Sequence, residues 1–486
     1  MPPAAAVRVA SRRTVKPPPR PRERIALTSW DLALLPADYL QYGLLFAPPP
    51  FSTAHLVDHL QAALASALAV YYPVAGRLTT DQHLDAKGEQ VVGCSVSVDC
   101  DGQGAEIVLA VADGVAIADV VPPDADVPTA VIRSFFPLDG AVNYEGHELP
   151  LFAVQVTELD DGVFVGFAYN HALSDGAALW DFLNAWAKIA RLRLAPPELE
   201  SGAPRAPVFE RWSPDAGVAA PVVLPYADLA GIVIVKRPSP PPPPPELRER
   251  VLHFSPESLA ALKERARQEL VAAGDDAGAA AAVTKFQALS SLLWRCVARP
   301  RRLAPEQETA CRFAIDNRNR LRPPLPTGYF GNSVYTVSTE SVAAPELLVP
   351  PGRLGWAAAA VGRAVEAHTD AAIRARMAAW KAEPALVPVP AAVAALHRNG
   401  VVIVGSPRFN VYGCDFGWGK PLAVRSGRAA KYDGRVTLFP GREGGVDAEV
   451  ALAPEHMAAV ERDGELWAAV TPDAASHQLP RKLDHY

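Results

Sequence analysis

A strand that turns into a helix within a few residues is the feature that most limits how this chain can fold. Val163, Val165, Phe167 and Tyr169 are apolar at every second position, the period of an extended strand running into His171. Leu179, Phe182, Leu183 and Trp186 then recur at the i, i+3, i+4 and i+7 positions of an amphipathic helix. Between them lies Asn170-His171-Ala172-Leu173-Ser174-Asp175-Gly176. A histidine at such a junction sits on the rim of a rigid scaffold, where a side chain can face a cleft instead of packing. Gly176 is expected to let the backbone turn there.

The H-x-x-x-D spacing of His171 and Asp175 is weak on its own, with about half a match expected by chance in a chain of this length and composition. A histidine that merely caps a strand end, satisfied by hydrogen bonds, is the plain alternative. A metal site would need a third ligand at matching spacing, and none lies nearby, so no metal is expected.

The 486 residues exceed one ordinary core and suggest two domains of about 200 residues each. With 49% hydrophobic and 21% charged residues the chain reads as a folded, soluble protein. It has no run of 18 apolar residues, so no membrane span is expected. A net charge of −6 and the lack of a basic, aromatic-interleaved stripe argue against nucleic acid as a partner. Cys94, Cys100, Cys296, Cys311 and Cys414 are odd in number and lack C-x-x-C spacing, which points to free thiols in a reducing compartment. The N-terminal stretch is basic and free of acids, as in a transit peptide, but it lacks serine richness, and Val7 to Ser11 reads equally as a strand. The cytosol is the expected location.

Along the chain, Leu56, Leu60, Leu64 and Leu68 stripe a helix that Pro73 stops. Strands are expected at Glu106 to Ala112 and Leu151 to Thr157, the latter joined to the strand into His171 by a hairpin at Leu159 to Gly162. Pattern is lost from about Ala195 to Glu246, and the six prolines Pro240 to Pro245 read as a stiff linker. A proline-recognition ligand is the sharper alternative. Ser255-Pro256 starts a helix, Thr284 to Gln287 is a capping box, and Val401 to Val404 is a short strand. Asp316 to Asn332 (D-N-R-N-R-L-R-P-P-L-P-T-G-Y-F-G-N) is neither core nor plain coil. In Val411 to Pro421 glycines flank aromatics, and Asp415 is expected to pair with an arginine and lock that loop.

Four segments in order resemble the BAHD acyltransferases of plants: Tyr71 to Leu78 (Y-Y-P-V-A-G-R-L), His171 to Gly176, Asp316 to Asn332, and Asp415 to Gly419 (D-F-G-W-G). Ser29 to Phe46 and Ser406 to Asn410 further resemble a less characterised subgroup. The resemblance implies an α/β fold of two similar domains, chloramphenicol acetyltransferase-like, each a mixed β-sheet flanked by helices. A long crossover would join them, with a channel between that reaches His171 from both ends. On that basis residues 1–200 form the domain with the H-x-x-x-D-G motif, 201–250 the proline-rich crossover, and 251–486 the domain with D-F-G-W-G.

The resemblance also implies that an acyl group moves from coenzyme A, as a co-substrate, to a hydroxyl or amine of a plant specialised metabolite. Hydroxycinnamoyl or another aromatic acyl group is one candidate donor, with no bound cofactor and no metal. His171 would be the general base, since an imidazole suits that role near neutral pH. Asp175 would be a structural partner of an arginine, with Arg318 the candidate, and Gly176, Asp415 and Gly417 complete the motif residues. The oxyanion would be held by Trp418 or a nearby backbone N–H. Ser406 stands where many relatives carry tryptophan, two positions before Arg408, so acceptor preferences are not transferable and both residues are acceptor-pocket candidates. A monomer is expected. Two alternatives share the fold: a lyase acting on an isochorismate-derived conjugate, and a non-catalytic ligand-binding relative.

Overall fold

The computed structural model describes residues 7–122, 125–194, 206–213, 221–233, 246–274, 277–349, 352–386 and 399–472. The Pro240 to Pro245 run lies outside the described residues. Among the described residues most strands form two mixed sheets of six, each with helices against it, beside smaller sheets of two and three strands.

The first sheet has the spatial order Arg8–Val15, Ala105–Val111, Phe152–Glu158, Val163–Tyr169, Leu40–Phe46 and Ala423–Ser426. Only Ala105–Val111 and Phe152–Glu158 run parallel; the other pairs are antiparallel. Val163–Tyr169 is buried along its full length, because sheet partners and helices cover both of its faces. The helices Thr53–Val70 and Gly176–Leu194 pack on this sheet and on each other, and the Trp186 indole donates to the Leu60 carbonyl at 3.1 Å. The expected leucine stripe is the buried face of the first helix: Leu56, Leu60, Leu64 and Leu68 are each fully enclosed.

The second sheet has the order Val334–Ser338, Cys311–Asp316, Val401–Gly405, Arg435–Pro440, Val446–Leu452 and Arg248–Phe254. Its three central strands are parallel and the outer pairs antiparallel. Pro256–Ala272, Lys285–Ala298 and Arg353–Ala367 pack against it. The expected caps are present: Ser255 Oγ accepts from Ser258 N at 3.1 Å, and Thr284 and Gln287 cap each other reciprocally at 3.2 and 2.6 Å.

Sheet membership does not follow chain order throughout. Ala423–Ser426 leaves the C-terminal half and pairs with Leu40–Phe46 as the edge of the first sheet. Val411, Cys414, Phe416, Val424 and Phe439 likewise belong to the first core. The physical reason is an open edge: Leu40–Phe46 is buried and apolar, and its unpaired backbone groups need a covering strand.

Candidate active site

His171 stands two residues beyond Tyr169, the last residue of its strand to pair with both neighbours. Asn170 closes the turn, its backbone N–H donating to Leu151 O at 2.8 Å and its side-chain oxygen accepting from Ala172 N at 3.0 Å. Asp175 then caps the Gly176–Leu194 helix, accepting from Ala178 N at 3.2 Å. Gly176 is not in the left-handed region, which corrects the expectation of a glycine turn. It is glycine because the Phe409 ring would lie 3.0 Å from a Cβ at that position.

The loop is clamped by groups from distant segments. Asn143 Oδ1 accepts from His171 N at 2.7 Å, and Asn332 Nδ2 donates to His171 O and to the buried Asp31 carboxylate, each at 2.8 Å. Arg211, in the region expected to be a linker, is buried, and it donates to Leu173 O and Phe330 O at 2.8 Å.

The imidazole is half-buried. Its Nδ1 lies 3.2 Å from the Ser174 carbonyl, which can only accept, so Nδ1 carries the hydrogen and Nε2 holds the free lone pair. Among the described residues Nε2 has no protein hydrogen-bond partner. Burial pushes the imidazole pKa below the ordinary histidine value; the Asp175 charge offsets part of this, and the Arg435 cation adds to it. The ring is therefore neutral at pH 7.

Asp175 does not support that ring directly. Its carboxylate takes both Arg318 Nη atoms, at 2.7 and 2.9 Å, and the Ser333 N–H at 2.9 Å. Burial alone would raise its pKa, but the Arg318 guanidinium and the Ser333 and Ala178 N–H groups outweigh burial and hold it below the usual carboxylate range. The pair links the two halves of the chain, with Asp175 beside the first sheet and Arg318 following a strand of the second.

The D-F-G-W-G residues lie elsewhere. An alanine Cβ at Gly417 would meet Leu194, the last residue of the 19-residue helix that begins at Gly176. At 1.5 Å per residue that helix is about 28 Å long, so Trp418 stands far from His171. It packs at 5.0 Å on Phe46 and 5.9 Å on Phe416. This corrects its assignment as an oxyanion donor. Asp415 locks its loop, but through the Gly417 and Gly419 N–H groups at 2.8 and 3.1 Å; among the described residues no arginine pairs with it.

Ser406 Oγ accepts from Arg408 N at 3.1 Å in the turn after Val401–Gly405. Ser406 is half-buried and Arg408 exposed. Phe409, missed in the sequence, is the residue of this turn that reaches the site, contacting Trp180 at 6.4 Å as well as Gly176. Arg211 and Asn143 were also missed. Nothing in their local sequence signals the contact, whereas Asn332 closes a segment that was singled out.

A family model described as the transferase family matches residues 5–467. The chain is 36% identical over 451 residues to an uncharacterized acetyltransferase of Arabidopsis thaliana, covering 91% of this chain and 94% of that one. It is 29% identical over 424 residues to hydroxycinnamoyl-CoA:piscidic acid hydroxycinnamoyltransferase of Actaea racemosa, covering 84% and 87%. Its fold is similar to that of F. graminearum TRI101 complexed with coenzyme A and T-2 mycotoxin, with a TM-score of 0.67 and 16% identity over 92% of this chain and 98% of that one. On the family match and these likenesses, the chain belongs to the BAHD acyltransferase family.

Proposed function

We propose that this protein transfers an acyl group from an acyl-coenzyme A thioester to the hydroxyl or amine of a small molecule, with His171 as general base. The observation that carries the reading is the half-buried imidazole whose Nδ1 is tied to Ser174 O, leaving a neutral Nε2 with no protein partner. The acceptor's proton passes to Nε2 as its oxygen or nitrogen attacks the thioester carbonyl. The tetrahedral intermediate collapses, the carbon–sulfur bond breaks, and the proton on Nε2 moves to the departing thiolate. The Ser174 carbonyl keeps the ring oriented and stabilises the transient imidazolium.

Asp175, Arg318 and Gly176 position the loop, while Asp415, Gly417 and Trp418 build the far end of the site helix. Ser406 and Arg408 are assigned to the acceptor side; their turn also carries Phe409, which lies over Gly176. Similarity to a hydroxycinnamoyltransferase supports an aromatic acyl donor. The same reading has the protein as a cytosolic monomer. Five unpaired, buried thiols support a reducing compartment, and no helix among the described residues is long and apolar enough to cross a membrane. Sedimentation velocity checks the monomer.

The test is release of free coenzyme A thiol when purified protein meets aromatic and aliphatic acyl-CoA donors with alcohol and amine acceptors. Acceptor-dependent release supports transfer. A protein that consumes neither donor nor acceptor across the panel contradicts it.

A further inference from the structure

In the second sheet, Phe313, Ile403 and Val436 point into its helix-covered core. Their neighbours Arg312, Val402 and Arg435 therefore stand on the opposite face. The register places these three side by side, Arg312 opposite Val402 and Val402 opposite Arg435. At about 4.8 Å per strand the two arginine Cα atoms are about 10 Å apart, within reach for both guanidinium groups to meet one ligand. Further along this face Phe439 meets Tyr42 at 5.7 Å, and Tyr42 lies 5.9 Å from Trp180 of the site helix. Trp180 stands in the first turns of the helix that begins at Gly176, so this contact brings the face to the His171 end of that helix, and the Arg435 charge is felt at the imidazole.

Both arginines are half-buried, and among the described residues neither has a carboxylate partner. The acids in the neighbourhood are committed elsewhere. Glu449 pairs with Lys431 at 2.8 Å, Glu249 pairs with Lys431, and Asp433 takes Arg301 and His456, each at 3.0 Å. Asp175 and Asp316 take Arg318. What the arginines share is Tyr432, whose hydroxyl senses both cations and whose ring lies 5.8 Å from the Arg435 guanidinium. Two half-buried cations side by side without a counter-ion repel each other, and a ligand anion would offset that cost.

We infer that Arg312 and Arg435 form an anion subsite that holds a carboxylate of the substrate bound against His171. The inference rests on the acyl-transfer reading for what happens next to the subsite, but the subsite itself is testable by binding alone. Coenzyme A's phosphates are a pantetheine arm away from the thioester, so a cation pair on the face that packs toward the start of the site helix fits a group close to the reacting atoms. A bound carboxylate would also cancel the Arg435 field at the imidazole, so an acidic substrate makes its own base stronger.

The experiment is calorimetric titration and thermal shift of the full chain with inorganic phosphate, shikimate and p-coumarate, and with the methyl esters of the two acids. Wild type is expected to show saturable binding of anions, with the esters weaker by about tenfold or more. Arg312→Gln and Arg435→Gln should each weaken acid binding about tenfold, and Arg435→Lys should recover part of it. Equal binding of acids and esters, anion binding unchanged in both glutamine variants, or no saturable anion binding by wild type would overturn the subsite. So would variants that lose affinity for coenzyme A but not for 3′-dephospho-coenzyme A, since the anion would then be a nucleotide phosphate. Near-UV circular dichroism identifies a variant that has lost its fold, and Arg435→Lys then carries the test. Acid binding without any acyl transfer would sink the transfer reading and leave the subsite in place.

Discussion

The oxygens of Asp175 are fully used by Arg318, Ser333 and Ala178, so the imidazole of its motif neighbour His171 has no carboxylate hydrogen-bonded behind it. Removing that carboxylate in Asp175→Ala leaves the Arg318 guanidinium with only the exposed Asp316 carboxylate and the Tyr329 and Gly331 carbonyls, which costs on the order of 2–3 kcal/mol. Urea unfolding should show this loss, and an unchanged midpoint would refute the structural role. The sign of the pH dependence follows from the same contacts. Asp175 is held below its ordinary pKa when folded, so its stabilisation is present above the unfolded value and is lost as pH falls through the folded one. For His171, burial moves the acid limb of kcat/KM below the ordinary histidine value of about 6.5, and a profile that rises only above pH 7 would contradict a buried neutral base. His171, Asp175 and Arg318 were legible in the sequence because they sit inside short motifs with fixed spacing. Asn143 and Arg211 were not, because each reaches the site from a segment whose local pattern concerns something else, and Phe409 was passed over in a turn whose Ser406 and Arg408 drew the attention.

The Gly176–Leu194 helix separates two motifs that read as one active site in the sequence, holding the histidine junction at its start and D-F-G-W-G at its end. Trp418→Phe should therefore keep kcat within about twofold while lowering stability by about 1 kcal/mol through its packing on Phe46 and Phe416. A large fall in kcat with an intact melting temperature would restore Trp418 to the chemistry. Gly417 has φ of +116°, and an added Cβ would meet only the movable end of the exposed Leu194 side chain, so Gly417→Ala should cost about 1–2 kcal/mol through backbone strain, read by thermal denaturation. Strand and helix were legible here because periods of two and 3.6 are local properties. The distance between the two ends was not, since it depends on how long the helix runs before it stops.

At the scale of the whole molecule, the two sheets are tied by a strand and by buried charge. Lys431, in the segment that follows Ala423–Ser426, pairs with Glu249 and Glu449 of the second sheet, and Ser426 hydrogen-bonds to Glu449. Burial pushes the Glu249 carboxyl up to about 7, with Lys431 opposing and Glu449 reinforcing the shift. A folded pKa above the unfolded one means that stability present at low pH is lost as pH rises through about 7. Glu249→Gln should flatten that loss, measured as melting temperature between pH 4 and 8, where wild type loses on the order of 1–3 kcal/mol across the window. The order of the four motifs made the two-part α/β design legible, but the strand exchanged between sheets was not, because Ala423–Ser426 carries no mark of which edge it will cover. Catalysis as proposed needs both halves held together around one imidazole. The most direct measurement is coenzyme A release by His171→Ala beside wild type, with circular dichroism confirming the fold. Turnover should fall by about 10²-fold or more with the melting temperature nearly unchanged. A folded variant that still transfers acyl groups at the wild-type rate would contradict His171 as the base.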